Sequence, residues 1–175
     1  MSLIYVDKVT LNIGMGQGGE PLQKAKALLE KVSGKKAVLT KSKSRNPTWN
    51  LRPGEEIGSK VTLRGKDADA VLKRALESVD NRVSEKSFDK GGNVSFGIKE
   101  YIDFPGMKYD PEIGMLGFDV CVTLKKKGSR IALRRIAPRR LPAKQRVSAD
   151  EARQFIAEKY GAKVFSPAAE EAGME

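Results

Sequence analysis

Three glycines, Gly14, Gly16 and Gly19, stand in the spacing G-x-G-x-x-G. They follow an alternating run, Val9, Leu11 and Ile13, and precede a helix-like run opened by Pro21. In that order the pattern matches a loop that cradles a dinucleotide pyrophosphate. Such a site also uses an acid about 20 residues further on, to hold the ribose hydroxyls. Here Thr40-Lys41-Ser42-Lys43 occupies that place, so only an NADP-dependent reductase, with a cation on the 2′-phosphate, survives as the enzyme alternative. Length and strand order argue against it. A chain of 175 residues is too short for a dinucleotide domain plus a substrate domain. Two strand-like runs also follow the first helix in succession, where a Rossmann sheet repeats βα units. A tight turn between strand and helix accounts for the glycines. A lesser role is also open to the turn: exposed N–H groups near a helix start can receive one phosphate of a nucleic acid. The chain contains no histidine, which removes histidine-dependent triads and zinc hydrolase chemistry. No cofactor and no metal site are expected.

Charge offers a different chemistry. The net charge is +11, and it is unevenly spread. Residues 31–54 hold seven cations, Lys31, Lys35, Lys36, Lys41, Lys43, Arg45 and Arg52, and no acid. Residues 125–146 hold ten, Lys125, Lys126, Lys127, Arg130, Arg134, Arg135, Arg139, Arg140, Lys144 and Arg146, again with no acid. The remainder is net acidic. The bland account is a pair of solvated basic loops. Concentration into two acid-free segments favours a polyanionic partner, and nucleic acid over membrane, because neither segment is an amphipathic helix with aromatic anchors. No apolar run approaches the ~18 residues of a membrane span, and the N-terminal stretch lacks a secretory signal pattern. The single cysteine, Cys121, lies in a strand-like run and reads as a small packed residue.

The elements that would position these groups follow from periodicity. Strands are expected at 6–13, 36–40, 57–64, 93–99 and 118–125, and helices at 21–33, 67–82 and 148–160. Ser148 with Glu151 forms a capping box at the start of the last helix. The order β-α-β-β-α-β-β-α predicts an α+β fold: an antiparallel sheet with helices packed on one face, a split βαβ or RRM-like plate. We expect one RNA-binding domain over 1–165 with basic loops at 41–54 and 125–146, and a flexible acidic tail at 166–175. In a split βαβ sheet the first and third strands are neighbours. If Val9, Leu11, Ile13, Ile57, Val61 and Leu63 face the helices, then Lys8, Thr10, Asn12, Lys60, Thr62 and Arg64 face away. These form a polar row of cations and hydrogen-bonding groups flanked by Asp7 and Glu56. Such a row suits the sugar–phosphate backbone of an RNA helix, recognised by shape and 2′-hydroxyl. The run Lys90-Gly91-Gly92-Asn93-Val94-Ser95-Phe96 lacks the paired rings with which an RRM stacks bases. In the first basic loop, Trp49 either stacks on an exposed base or folds back to anchor its loop. The ten cations of 125–146 repel one another, so that segment is expected to be disordered without RNA.

Several longer stretches then carry a resemblance: KVTLNIGMGQG, SGKKAVLTKSKSR, WNLRPGEEIGSKVTLRG, SFDKGGNVSFGIKEYIDFPGMKYD and GFDVCVTL, in order. Over residues 5–164 the chain resembles the L-five family of large-subunit ribosomal proteins, and residues 125–164 are similar to its archaeal and eukaryotic branch. The resemblance implies a non-enzymatic cytoplasmic protein of the ribosome, in the central protuberance. Its implied partners are 5S rRNA, large-subunit rRNA, P-site tRNA, a small-subunit protein across the subunit interface and neighbouring protuberance proteins. By position, the family's RNA-contacting asparagine falls on Asn12 and its threonine on Thr62. Its tRNA-facing loop corresponds to Lys41, Lys43, Ser44, Arg45, Trp49 and Arg52. The chain departs from the family at Lys35, where glutamine is common. A non-ribosomal RNA chaperone is the third alternative.

Overall fold

A computed structural model describes residues 3–16 and 18–166. Gln17 of the glycine turn and all of the expected acidic tail except Ser166 lie outside the described residues. The elements are β1 Ile4–Gly14, α1 Glu20–Ser33, β2 Val38–Lys41, β3 Glu56–Leu63, α2 Lys66–Glu77, β4 Arg82–Ser84, β5 Val94–Ile98, β6 Phe118–Lys126, α3 Ala149–Tyr160 and β7 Lys163–Phe165. The fold is α+β. Five strands form an antiparallel sheet in the order β2-β3-β1-β6-β5, and β4 pairs with β7 in parallel. End-to-start bonds mark the antiparallel sense: the Lys127 N–H donates to the Leu3 carbonyl at 3.1 Å, and the Met15 N–H to the Ile57 carbonyl at 3.0 Å.

The described residues gather into two compact units, one of 3–9, 64–96 and 121–166, the other of 10–16, 18–63 and 97–120. In the second unit, α1 begins with Pro21 in its first turn and ends at Gly34 in a left-handed cap. Pro21 suits the first turn because its missing N–H would be unpaired there anyway. Leu22, Ala25, Leu28, Leu29 and Val32 form its buried stripe, and the helix packs on β3. Gly58 in β3 is a close-approach glycine. A Cβ there would sit 2.8 Å from both the Ile13 carbonyl oxygen and Thr40 Oγ1. Tyr101 is fully buried, and its hydroxyl accepts the Asp110 N–H at 2.7 Å, which ties down the turn-rich stretch between β5 and β6.

In the first unit, α2 buries Ala68, Val71, Leu72, Ala75 and Leu76. It stops five residues short of the expected boundary at 82. Asp80 and Asn81 adopt positive φ, 53° and 55°, a conformation that short polar side chains tolerate. The chain then turns into β4. The Ser148–Glu151 capping box is present in full. Its N–H bonds satisfy donors that the helix start would otherwise leave unpaired. Strands β4 and β7, three residues each, were not expected; runs that short carry no readable periodicity.

Candidate nucleic-acid interface

In the second unit, β1 buries Leu11 and Ile13 and β3 buries Ser59, Val61 and Leu63. Strand geometry then turns Thr10, Asn12, Lys60 and Thr62 to the other side. Lys60 and Thr62 are exposed, and Thr10 and Asn12 half-exposed. Strand β2 extends this row in a way that the sequence did not reveal. Val38 lies opposite Lys60 and Thr40 opposite Gly58, so Val38 and Thr40 share their side. Val38 is 60% exposed, an aliphatic group beside a cation. Register across a sheet is a pairing property, and no feature of the stretch Lys36–Thr40 alone announces it.

Lys8 and Arg64, predicted to continue this row, belong to the first unit. The alternation of β1 slips there. Val6 and Val9 are both buried although three residues apart, and Asp7 and Lys8 between them are both half-buried. Arg64 lies just past the end of β3, and its charge is not free. Its Nη1 reaches Asp7 Oδ1 at 3.3 Å, and Lys125 Nζ reaches Asp7 Oδ2 at 2.9 Å. Partial burial pushes the Asp7 carboxyl up, but Lys125, Arg64 and Lys8 together outweigh it and hold the group below the usual carboxylate range. On β6, Asp119, Cys121, Thr123 and Lys125 alternate with buried Phe118, Val120, Val122 and Leu124. Cys121 is therefore exposed, not packed as expected. Its parity in the strand decides this, since it alternates with the valines on either side.

The first basic loop is a small structured hairpin. Asn46 and Leu51 exchange backbone bonds of 3.1 and 3.0 Å. The Thr48 N–H donates to Asn46 Oδ1 at 3.1 Å, and Asn50 takes a positive φ of 53°. At its base the Arg52 N–H donates to Glu55 Oε2 at 3.0 Å. Lys41, Lys43, Ser44, Arg45, Trp49 and Arg52 are all solvent-exposed. Trp49 is 72% exposed at the tip, so the loop is not anchored by its indole. Met15, Gly16 and residues 48–51 line a shallow hollow beneath it. The Met15 and Gly16 N–H groups both donate to the Ile57 carbonyl at 3.0 Å, so those two are not available to a phosphate. Gly16 and Gly19 take φ of 71° and 101°, which accounts for glycine at both positions of the fingerprint.

Not every residue counted in the basic segments serves a free cationic surface. Lys31 bonds Asp110. Lys126 is buried against Glu151 at 2.7 Å, and that contact, with the Ser148 N–H, holds the Glu151 carboxyl below its usual range. Arg130, Arg134, Arg135, Arg139, Arg140, Lys144 and Arg146 are solvent-accessible and make no ion pair among the described residues. The segment carrying them has only local turns, such as the Arg134 Nε bond to the Ala137 carbonyl at 2.9 Å. Ile131, Leu133 and Ile136 stand exposed among these cations. Among the described residues no acid or cysteine cluster could hold a metal, and no helix is long and apolar enough to cross a membrane.

Comparison with known proteins matches residues 1–52 to the family model for Ribosomal protein L5, and residues 56–158 to the model for the C-terminus of the same ribosomal family. A protein of Methanosphaera stadtmanae, named Large ribosomal subunit protein uL5, is 47% identical over 156 residues, 89% of this chain and 93% of the relative. The same name is carried by a protein of Methanoculleus marisnigri, 46% identical over 164 residues, 94% of this chain and 98% of the relative. Another, of Methanospirillum hungatei, is 39% identical over 161 residues, 92% of this chain and 96% of the relative.

Proposed function

The chain belongs to the ribosomal protein L5 family, and from that premise we propose that it is a structural, non-enzymatic protein of the large ribosomal subunit that binds 5S rRNA. It works in the cytoplasm, on the ribosome. The observation that carries the RNA reading is the outward row of the second unit. Thr10, Asn12, Thr40, Lys60 and Thr62 offer hydrogen bonds and a cation, with Val38 among them. That mix suits a ribose–phosphate surface, where hydroxyls and phosphate oxygens are read and base edges are not. The exposed cations of residues 130–146 supply a second, sequence-independent attraction to rRNA.

Two finer contacts belong to the same proposal. The hairpin over 41–54 meets the tRNA in the P site, with Trp49 stacked on an exposed base or ribose. Its support is the combination of an exposed indole and flanking cations on a loop held in shape by its own hydrogen bonds. A further surface of the chain meets a small-subunit protein, and neighbouring protuberance proteins complete its environment.

The test is a gel-shift titration with archaeal 5S rRNA at two salt concentrations, with bulk tRNA as competitor. Tight binding that tRNA does not displace is expected. If about six cations meet phosphates, the logarithmic salt slope is near −5. A flat slope, or complete displacement by tRNA, would reject 5S rRNA as the specific partner.

A further inference from the structure

Asp7 is a half-buried acid in a protein whose partner is a polyanion. Its side chain is 15% exposed, whereas that of Arg64 is 62% exposed and that of Lys125 is 27% exposed. One carboxylate oxygen takes Arg64 and the other takes Lys125. The Asp7 carbonyl accepts from the same Arg64 Nη1 at 3.4 Å. The aspartate therefore engages one nitrogen of a five-donor guanidinium and one bond of a three-donor ammonium. The remaining donors of both side chains are left for another acceptor, and both chains are held by one anchor between them. Lys8 follows directly in the strand, so three cations surround a single anion.

We propose that Asp7 is a positioning residue for RNA: it orients Arg64 and Lys125 as a preformed clamp for one backbone phosphate. The proposal rests on the reading of this protein as an RNA binder. Long cationic side chains lose rotamer freedom when they bind, and an anchor that has already removed that freedom lowers the cost of the contact. The consequence opposes simple charge counting. Neutralising an acid on a basic protein should strengthen its grip on RNA through the general field. Neutralising this acid should weaken it.

The experiment measures binding of full-length wild-type protein, Asp7→Asn and Glu158→Gln to archaeal 5S rRNA across a salt series, after melting curves on each. Glu158 is an exposed acid on α3 with no ion pair among the described residues, and it reports the field alone. Asp7→Asn is expected to bind roughly three- to tenfold more weakly than wild type, with the salt slope reduced by about one as a phosphate contact is lost. Glu158→Gln is expected to bind equally or more tightly. In a background of Arg64→Ala with Lys125→Ala there is nothing left to orient, so Asp7→Asn should cost nothing further. Equal or tighter binding by Asp7→Asn overturns the proposal, and so does an undiminished loss in the double-alanine background. Should Asp7→Asn melt below the assay temperature, Asp7→Glu carries the same expectation, since it keeps the charge but displaces the carboxylate; unchanged affinity there overturns the proposal too. If wild-type protein itself fails to shift the RNA, the RNA reading falls and this inference falls with it. If wild type binds and Lys60→Gln weakens it while Asp7→Asn does not, the RNA reading stands and the clamp alone is rejected.

Discussion

Asn12 and Thr62 sit on neighbouring strands with their side chains turned away from the buried rows of β1 and β3. Neither supports the core, so truncation should leave folding intact. Asn12→Ala and Thr62→Ala are each expected to weaken 5S rRNA binding by about 1 kcal/mol or more, the usual worth of a hydrogen bond to a charged or well-placed partner. Circular dichroism should be unchanged, and a collapsed melting curve would show that the two side chains face inward. Trp49 offers a direct optical test, because it is the only tryptophan in the chain. With 72% of it exposed, its emission should already resemble that of an unfolded chain and barely move on denaturation. Addition of tRNA should quench it if a base stacks there. An unquenched indole would confine the hairpin's role to its cations.

Elements hold these residues by means that can be broken one at a time. Gly58 lets β3 lie close against its neighbours; a methyl group there would meet a carbonyl oxygen and a threonine hydroxyl at 2.8 Å. Overpacking of that kind typically costs about 1–3 kcal/mol. Gly58→Ala should therefore lower the melting temperature, and it should weaken RNA binding along with it, since β3 carries Lys60 and Thr62. Ser148→Ala removes one half of the α3 capping box, at a cost of about 1 kcal/mol. For a chain of this size that corresponds to roughly 2–4 °C. RNA affinity measured well below the melting temperature should be unaffected, because α3 carries none of the proposed contacts. The two variants thus separate loss of fold from loss of interface.

At the scale of the whole molecule, the ionisable groups make an unusual set. The chain has no histidine, so between about pH 5 and 8 no side chain with an ordinary pKa changes charge. Stability and RNA affinity should both be flat across that window. Among the described residues, four carboxylates are held below their usual range. Burial pushes Asp7 up, but Lys125 and Arg64 outweigh it; burial likewise opposes Tyr160 and Lys159 at Asp69, and again the partners prevail. Asp110 is lowered by Lys31, and Glu151 by Lys126. A depressed carboxylate binds protons less readily folded than unfolded. Its contribution is complete above its unfolded pKa and is lost as pH falls through the folded value. Stability should therefore hold down to about pH 4.5 and decline below it. Urea midpoints measured from about pH 8 to about pH 3 check this, and a stability maximum near pH 6 with losses on both sides would contradict the assignment.

Much of this was decided along the chain itself. Strand alternation in β1 and β3, the capping box at Ser148 and the gathering of cations into two acid-free segments are local patterns. Each element's period and charge can be read without knowing its neighbours. The placement of Asn12 and Thr62 on an outward row followed from that period alone. Other features are properties of pairing, and no single stretch contains them. Val38 joins the outward row only because β2 runs antiparallel to β3 in one register. Strands β4 and β7 exist only because each supplies the other's hydrogen bonds across a long separation in sequence. Arg64 was expected in the outward row and Lys125 in the second basic segment, far apart in sequence, and only folding brings both to the carboxylate of Asp7. Periodicity reports which way a side chain points. Only the folded sheet determines what stands beside it, because contacts between distant segments depend on strand order and register, and these are set by the molecule as a whole.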